Sequence, residues 1–132
     1  MPYELSWEPG GMCLRAFGVI TDEDILTINR VMMSDPRARS TRYQIADFSD
    51  VTEMKVSREV VTSIARMDSE WAKEIPKIRK AIIASTPVIR GWSNVYAHSH
   101  EADGGTWETR LFENEAEARA WAMNEEEEGS EE

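Results

Sequence analysis

Two strand-like runs followed by a regular alternation of helical and strand-like runs constrain this sequence more than any other feature. Over residues 3–7, Tyr3, Leu5 and Trp7 alternate with Glu4 and Ser6, the period of a half-buried strand. Pro9-Gly10-Gly11 is a turn signal, because glycine supplies the positive φ of tight hairpins. Met12, Leu14, Ala16 and Val19 then continue a second strand over 12–20, so the chain opens with a hairpin. Thr21 is a good N-cap, and Asp22, Glu23 and Asp24 follow it in the first turn, where the helix dipole favours acid. Ile25, Ile28 and Met32 recur at helical spacing until Asp35-Pro36 stops the helix.

Residues 36–41 are polar and basic and read as a loop. Residues 43–48 read as a third strand, with the polar run 47–52 as its exit. Val60, Ile64, Met67, Trp71 and Ile75 form the most strongly patterned helix, starting near Ser57 and closing at Pro76. Residues 80–84 are a nearly continuous apolar run, the pattern of a strand buried on both faces. Ser85-Thr86-Pro87 opens a third helix with Val88, Trp92, Val95 and Ser99 along one face. Residues 98–105 read as a loop, 107–112 as a last strand, and Asn114 with Glu117 as a capping-box start to a last helix.

Strands separated by helices need crossover connections, so the order β-β-α-β-α-β-α-β-α predicts one small α/β domain over residues 1–124. Its single sheet is mixed and mostly parallel, with the first strand antiparallel and helices covering it. In such a sheet the functional loops gather at the carboxyl ends of the strands.

Of 132 residues, 41% are hydrophobic and 30% charged, as in a soluble globular protein. Six of the ten net negative charges lie in residues 125–132, which leaves −4 on the remainder. That acidic tail is expected to be disordered or a frayed helix end. A chain this acidic lacks the basic face that nucleic acid or an anionic membrane surface requires. Cys13 is the one cysteine, so no intramolecular disulfide can form. The first residues lack the pattern of a signal peptide, and no window is apolar enough to insert in a membrane, so the expected location is the cytoplasm.

Three segments resemble the STAS superfamily, the anti-sigma-factor-antagonist domains, and within it the SpoIIAA-like group. Ile45-Ala-Asp-Phe-Ser-Asp-Val51 is similar to the family's central strand and its polar exit. Residues 80–91 resemble the next strand and the helix after it. Residues 111–121 resemble the group's ending: a strand, a Phe, an acidic turn and an alanine-rich helix closing on Trp121. The resemblance implies a non-enzymatic interaction or regulatory module with a protein partner or a second copy of itself. In partner-switching members a turn of Asp-Ser-Ser-Gly carries the phosphorylated serine. Aligned from Asp47, it falls at Lys55-Val56-Ser57-Arg58, where Asp, the first Ser and Gly are absent. Other members are SEC14-like lipid-binding domains, which implies as an alternative a carrier or sensor of a small apolar ligand held between helices.

Ser57 is thus a candidate phosphoacceptor, although a serine at that position ordinarily caps its helix. Thr21, Asp47, Ser49, Asp50, Arg58, Ser85 and Thr86 are expected to share the carboxyl edge with it as a docking surface. Met67, Trp71 and Trp92, on adjacent helices, are candidates to line an apolar pocket; core packing is the plainer role for all five tryptophans. His98, His100, Glu101 and Asp103 are the one dense group of metal-ligand types. Their spacing defines no site, and they read as solvated loop residues. Cys13 reads as a small buried hydrophobe. No nucleophile elbow, P-loop or dinucleotide motif is present, so no catalytic residue, metal or cofactor is expected.

Overall fold

The computed structural model describes residues 2–124; the acidic tail lies outside them. Strands β1 (Tyr3–Glu8), β2 (Gly11–Thr21), β3 (Tyr43–Lys55), β4 (Arg79–Ile83) and β5 (Glu108–Phe112) form one sheet in the order β1-β2-β3-β4-β5. β1 is antiparallel to β2, and every other neighbouring pair is parallel. Helices α1 (Asp22–Ser34), α2 (Arg58–Trp71), α3 (Pro87–Ala102) and α4 (Glu115–Ala122) fill the connections and the end, with a short 3-10 helix at Pro36–Ser40. The opening hairpin turns through Gly10, whose φ of 79° suits glycine.

The helices are divided unequally. On one face Met12, Leu14, Ala46 and Ile82 pack under Ile25, Ile28 and Met32 of α1, with Val60 and Ile64 of α2 and Ile89 of α3. On the other, Tyr43, Ile45, Ala81 and Ile83 are covered by α4 alone, through Ala118, Ala122 and Trp121. β4 is therefore buried from both sides, as its apolar run requires. Beside α4, burial pushes the Cys13 thiol up to about 11, which keeps it protonated and inert at neutral pH.

Four expectations are corrected. β3 does not exit at Asp47 but continues to Lys55, because the eleven-residue β2 gives it a partner as far as Thr21↔Lys55. Asp47, Ser49 and Asp50 therefore stand within a strand rather than in a loop. α2 ends at Trp71, short of Pro76, and its fully buried residues are Val61, Ala65, Asp68 and Ser69; Met67, predicted on the inner stripe, is 39% exposed. This helix is wedged against both the sheet and α3, where Val61 and Ala65 meet Tyr96, so its buried arc is turned from the predicted stripe. In α3 the inward residues are Ile89, Ser93, Tyr96 and His100, one position on from the predicted face, and Val88 is 58% exposed. α3 also runs on to Ala102, so His98 and His100 are helical, not residues of a solvated loop.

Candidate functional site

At the carboxyl edge, each helix begins where a strand ends, and a short polar side chain caps it. Thr21 accepts from the Asp24 amide at 3.2 Å, while the Asp24 carboxylate accepts from the Thr21 amide at 2.9 Å, a reciprocal capping box. Thr86 accepts from the Ile89 amide at 3.3 Å. Ser57 accepts from the Val60 amide at 3.2 Å, and its own backbone N–H donates to Asp22 Oδ1 at 2.7 Å, which ties the start of α2 to the start of α1. Arg58 and Ser85 are exposed beside these caps.

The remaining docking candidates lie deeper along the sheet. Asp47 pairs with Arg15 and Ile83, and its carboxylate accepts from the amide and hydroxyl of Ser49 at 2.9 and 2.6 Å. Asp50 forms an exposed ion pair with Arg15 at 3.3 Å. Thr21, Ser57 and Arg58 thus come together at the paired ends of β2 and β3, whereas Ser85 and Thr86 follow Ile83, which pairs with Asp47, and so stand level with Asp47, Ser49 and Asp50, about eight residues back along β3. Ser57→Ala removes the cap of α2 and is expected to cost about 0.5–2 kcal/mol in urea unfolding. The Ser57 backbone bond to Asp22 survives this substitution, so a loss well above that range would mean the hydroxyl has a further structural role.

A second concentration of polar groups is buried under α2 and α3. Met12, Gln44, Lys80 and Thr109 are register partners across β2, β3, β4 and β5, so they form one row on the face covered by α1, α2 and α3. Lys80 donates to Asp68 Oδ2 at 3.2 Å and to the Tyr96 hydroxyl at 3.0 Å, and its ammonium lies 4.3 Å from the Tyr96 ring centre. Tyr96 also donates to Asp68 Oδ2 at 2.5 Å, and burial, then Asp68, holds its hydroxyl well above the ordinary value. Asp68 is 0% exposed and Gln44 3%. Among the described residues, three buried side-chain polar atoms have no hydrogen-bond partner: Gln44 Oε1, Asp68 Oδ1 and Thr109 Oγ1. All three belong to this cluster.

His100 completes the cluster's wall. At 2% exposed it sits with Nδ1 3.4 Å from the Ala65 carbonyl, and its Nε2 accepts from the Trp107 amide at 3.1 Å. Gly105 lies against the ring so closely that a Cβ there would come within 2.1 Å of it. Burial lowers the His100 pKa below its usual 6.5. The folded chain therefore holds His100 neutral where the unfolded chain takes up a proton. Stability should be full above about pH 6.5 and fall as the pH drops through that value towards the folded pKa. Urea midpoints measured from about pH 7.5 to 5.5 should show this decline, and His100→Gln should flatten it. Identical wild-type midpoints across that range would contradict the assignment.

Above the polar row is a cavity of about 90 Å³, partly open, lined by Leu14, Ile25, Ile28, Phe48, Ile82 and Trp92 among others, with Asn29, Gln44, Lys80, Ser93 and Tyr96 as its polar residues. Of the residues suggested for a pocket, Trp92 lines this cavity. Met67 and Trp71 do not: Met67 Sδ lies 3.9 Å from Asn29 Nδ2, and Arg39 lies over the Trp71 ring. Among the described residues no group of three or more His, Cys, Asp or Glu is placed to hold a metal ion. No described helix is long and apolar enough to cross a membrane.

No protein-family model matches the sequence, and no curated protein is detectably similar to it. Solved structures are. The anti-sigma factor antagonist SpoIIAA in its unphosphorylated form is 12% identical, with a TM-score of 0.57 over 87% of this chain and 91% of that one. An uncharacterised Shewanella loihica protein with a SpoIIAA-like fold is 16% identical, with a TM-score of 0.58 over 91% of each chain. The Bacillus cell fate determinant SpoIIAA in its phosphorylated form is 14% identical, with a TM-score of 0.54 over 88% and 95%. The chain has the SpoIIAA-like fold: a five-stranded mixed sheet with four helices.

Proposed function

We propose that this chain is a regulatory protein-interaction module without catalytic activity, docking its partner through the carboxyl edge where α1, α2 and α3 begin. The observation that carries this reading is the fold shared along nearly the whole chain with an anti-sigma factor antagonist. The meeting of the α1 and α2 starts, where the Ser57 backbone N–H donates to Asp22 beside Thr21 and the exposed Arg58, supports it. Docking is constitutive on this reading. Ser57 acts as a helix cap, and the Asp, Ser and Gly that accompany the phosphorylated serine in partner-switching relatives are absent around it. Affinity capture from the native host with wild-type protein and with Ser57→Asp tests this. Both should retain the same partner, because Asp is as good a cap as Ser. Loss of the partner from Ser57→Asp alone would restore a phosphorylation switch, and failure to retain any specific partner would overturn the reading.

A second reading, a carrier or sensor of a small ligand, is supported by the cavity between the sheet and α1, α2 and α3. Its walls are mainly apolar and its polar groups few, the usual make-up of small-molecule sites.

A further inference from the structure

We propose that this cavity takes a small, neutral hydroxyl compound, a phenol or a short-chain alcohol, with its hydroxyl against the Gln44–Lys80 pair. The inference rests on the second reading above, that the cavity holds a ligand, and names the chemistry it selects. Gln44 and Lys80 are register partners on adjacent parallel strands, so their side chains leave the sheet side by side, and both line the cavity. Gln44 is 3% exposed, yet its Oε1 accepts no hydrogen bond. Lys80 carries three ammonium protons, and its acceptors among the described residues are two, Asp68 and Tyr96. The site therefore holds one unpartnered acceptor beside one donor with a proton to spare. A hydroxyl satisfies both, since it donates and accepts through the same oxygen.

Charge narrows the class further. Asp68 already balances Lys80 at 3.2 Å, so an anionic head would bring an uncompensated charge into a buried place, and a cationic head would meet the ammonium. The walls of Leu14, Ile25, Ile28 and Ile82 are apolar, with Asn29 of α1 the one polar side chain on that side, so the rest of the molecule must be mainly apolar. Size restricts it too. About 90 Å³ is smaller than the roughly 150 Å³ that holds a benzene ring in an engineered core. Met12 and Met32 in the lining can yield to a ring, being unbranched, and a longer body would emerge past the half-buried Phe48 and Trp92.

The test is a titration of the full chain, followed by backbone amide NMR, with phenol, toluene and benzoate as probes. Phenol should shift amides of β3 and β4 around Gln44 and Lys80. It should bind about three- to tenfold more tightly than toluene, the value of one added buried hydrogen bond. Benzoate should bind more weakly than phenol. Gln44→Leu keeps the volume and deletes the unpartnered acceptor; it should retain toluene and lose the preference for phenol. Toluene binding as well as phenol would leave the cavity reading standing and overturn the hydroxyl assignment. So would benzoate binding best, or a phenol preference that survives Gln44→Leu. No shift with any probe would mean that solvent fills the cavity, and would overturn both. Should Gln44→Leu not fold, the ranking of the three probes on the wild type decides the matter.

Discussion

Asp68→Ala is expected to destabilise the fold by about 3–5 kcal/mol, because it strips the counter-charge from a buried lysine. Lys80 is held at the second position of a strand covered on both faces, so its ammonium cannot reach water without unravelling β4. The Tyr96 and Trp107 rings, 4.3 and 5.8 Å away, offset part of that loss through cation–π attraction but do not replace a carboxylate. Removing both charges is a different experiment. Asp68→Leu with Lys80→Met deletes the pair together and should be nearly neutral, or even stabilising, since the desolvation cost disappears with the attraction. Urea unfolding of the single and double variants measures the difference. A single variant as stable as the wild type would mean that water reaches Lys80, and the cluster would have to be read as surface.

The second large effect belongs to Trp107→Ala, at about 3–5 kcal/mol. Trp107 is 5% exposed and stands just ahead of β5, where its indole N–H donates to the Ile75 carbonyl at 2.7 Å. That bond holds the connection between α2 and β4, and the ring also packs on His100 with centroids 5.5 Å apart. The substitution leaves a cavity, orphans the Ile75 carbonyl and removes one wall of the His100 pocket. Trp107→Phe restores most of the volume without the donor and should recover the larger part of the loss. If Phe recovered nothing, the hydrogen bond would outweigh the packing, contrary to this account.

Element order was legible because it depends on periodicity and punctuation, and both are strong here. Thr21, Ser57, Thr86 and Asn114 cap the four helices they were expected to cap. Helix faces were less legible. α2 packs against the sheet and α3 at once, and the stripe chosen by hydrophobicity favoured Met67 over Ala65, although small Ala65 is what lets Tyr96 approach. The continuation of β3 was hidden because, past Ile83, it pairs with β2 alone and presents polar residues to water. The buried polar cluster was least legible of all. Lys80, Asp68, Tyr96 and His100 come from separate segments, and each has an ordinary surface role in isolation. Two signals did exist. Asp68 follows Val61 and Ala65 at helical spacing on a buried face, and His100 lies four residues after Tyr96.

The central claim, that the carboxyl edge is the docking surface, is tested most directly by charge changes placed at opposite ends of the sheet. Arg58→Glu with Ser85→Arg alters exposed positions at the carboxyl edge, and Lys77→Glu alters an exposed position ahead of β4 at the other end. None of these side chains is buried, so all variants should fold with unchanged urea midpoints. In capture from the native host, the partner retained by wild type should persist with Lys77→Glu and be lost with the carboxyl-edge pair. Retention by the carboxyl-edge variant and loss with Lys77→Glu would contradict the account and move the interaction surface to the opposite end of the sheet.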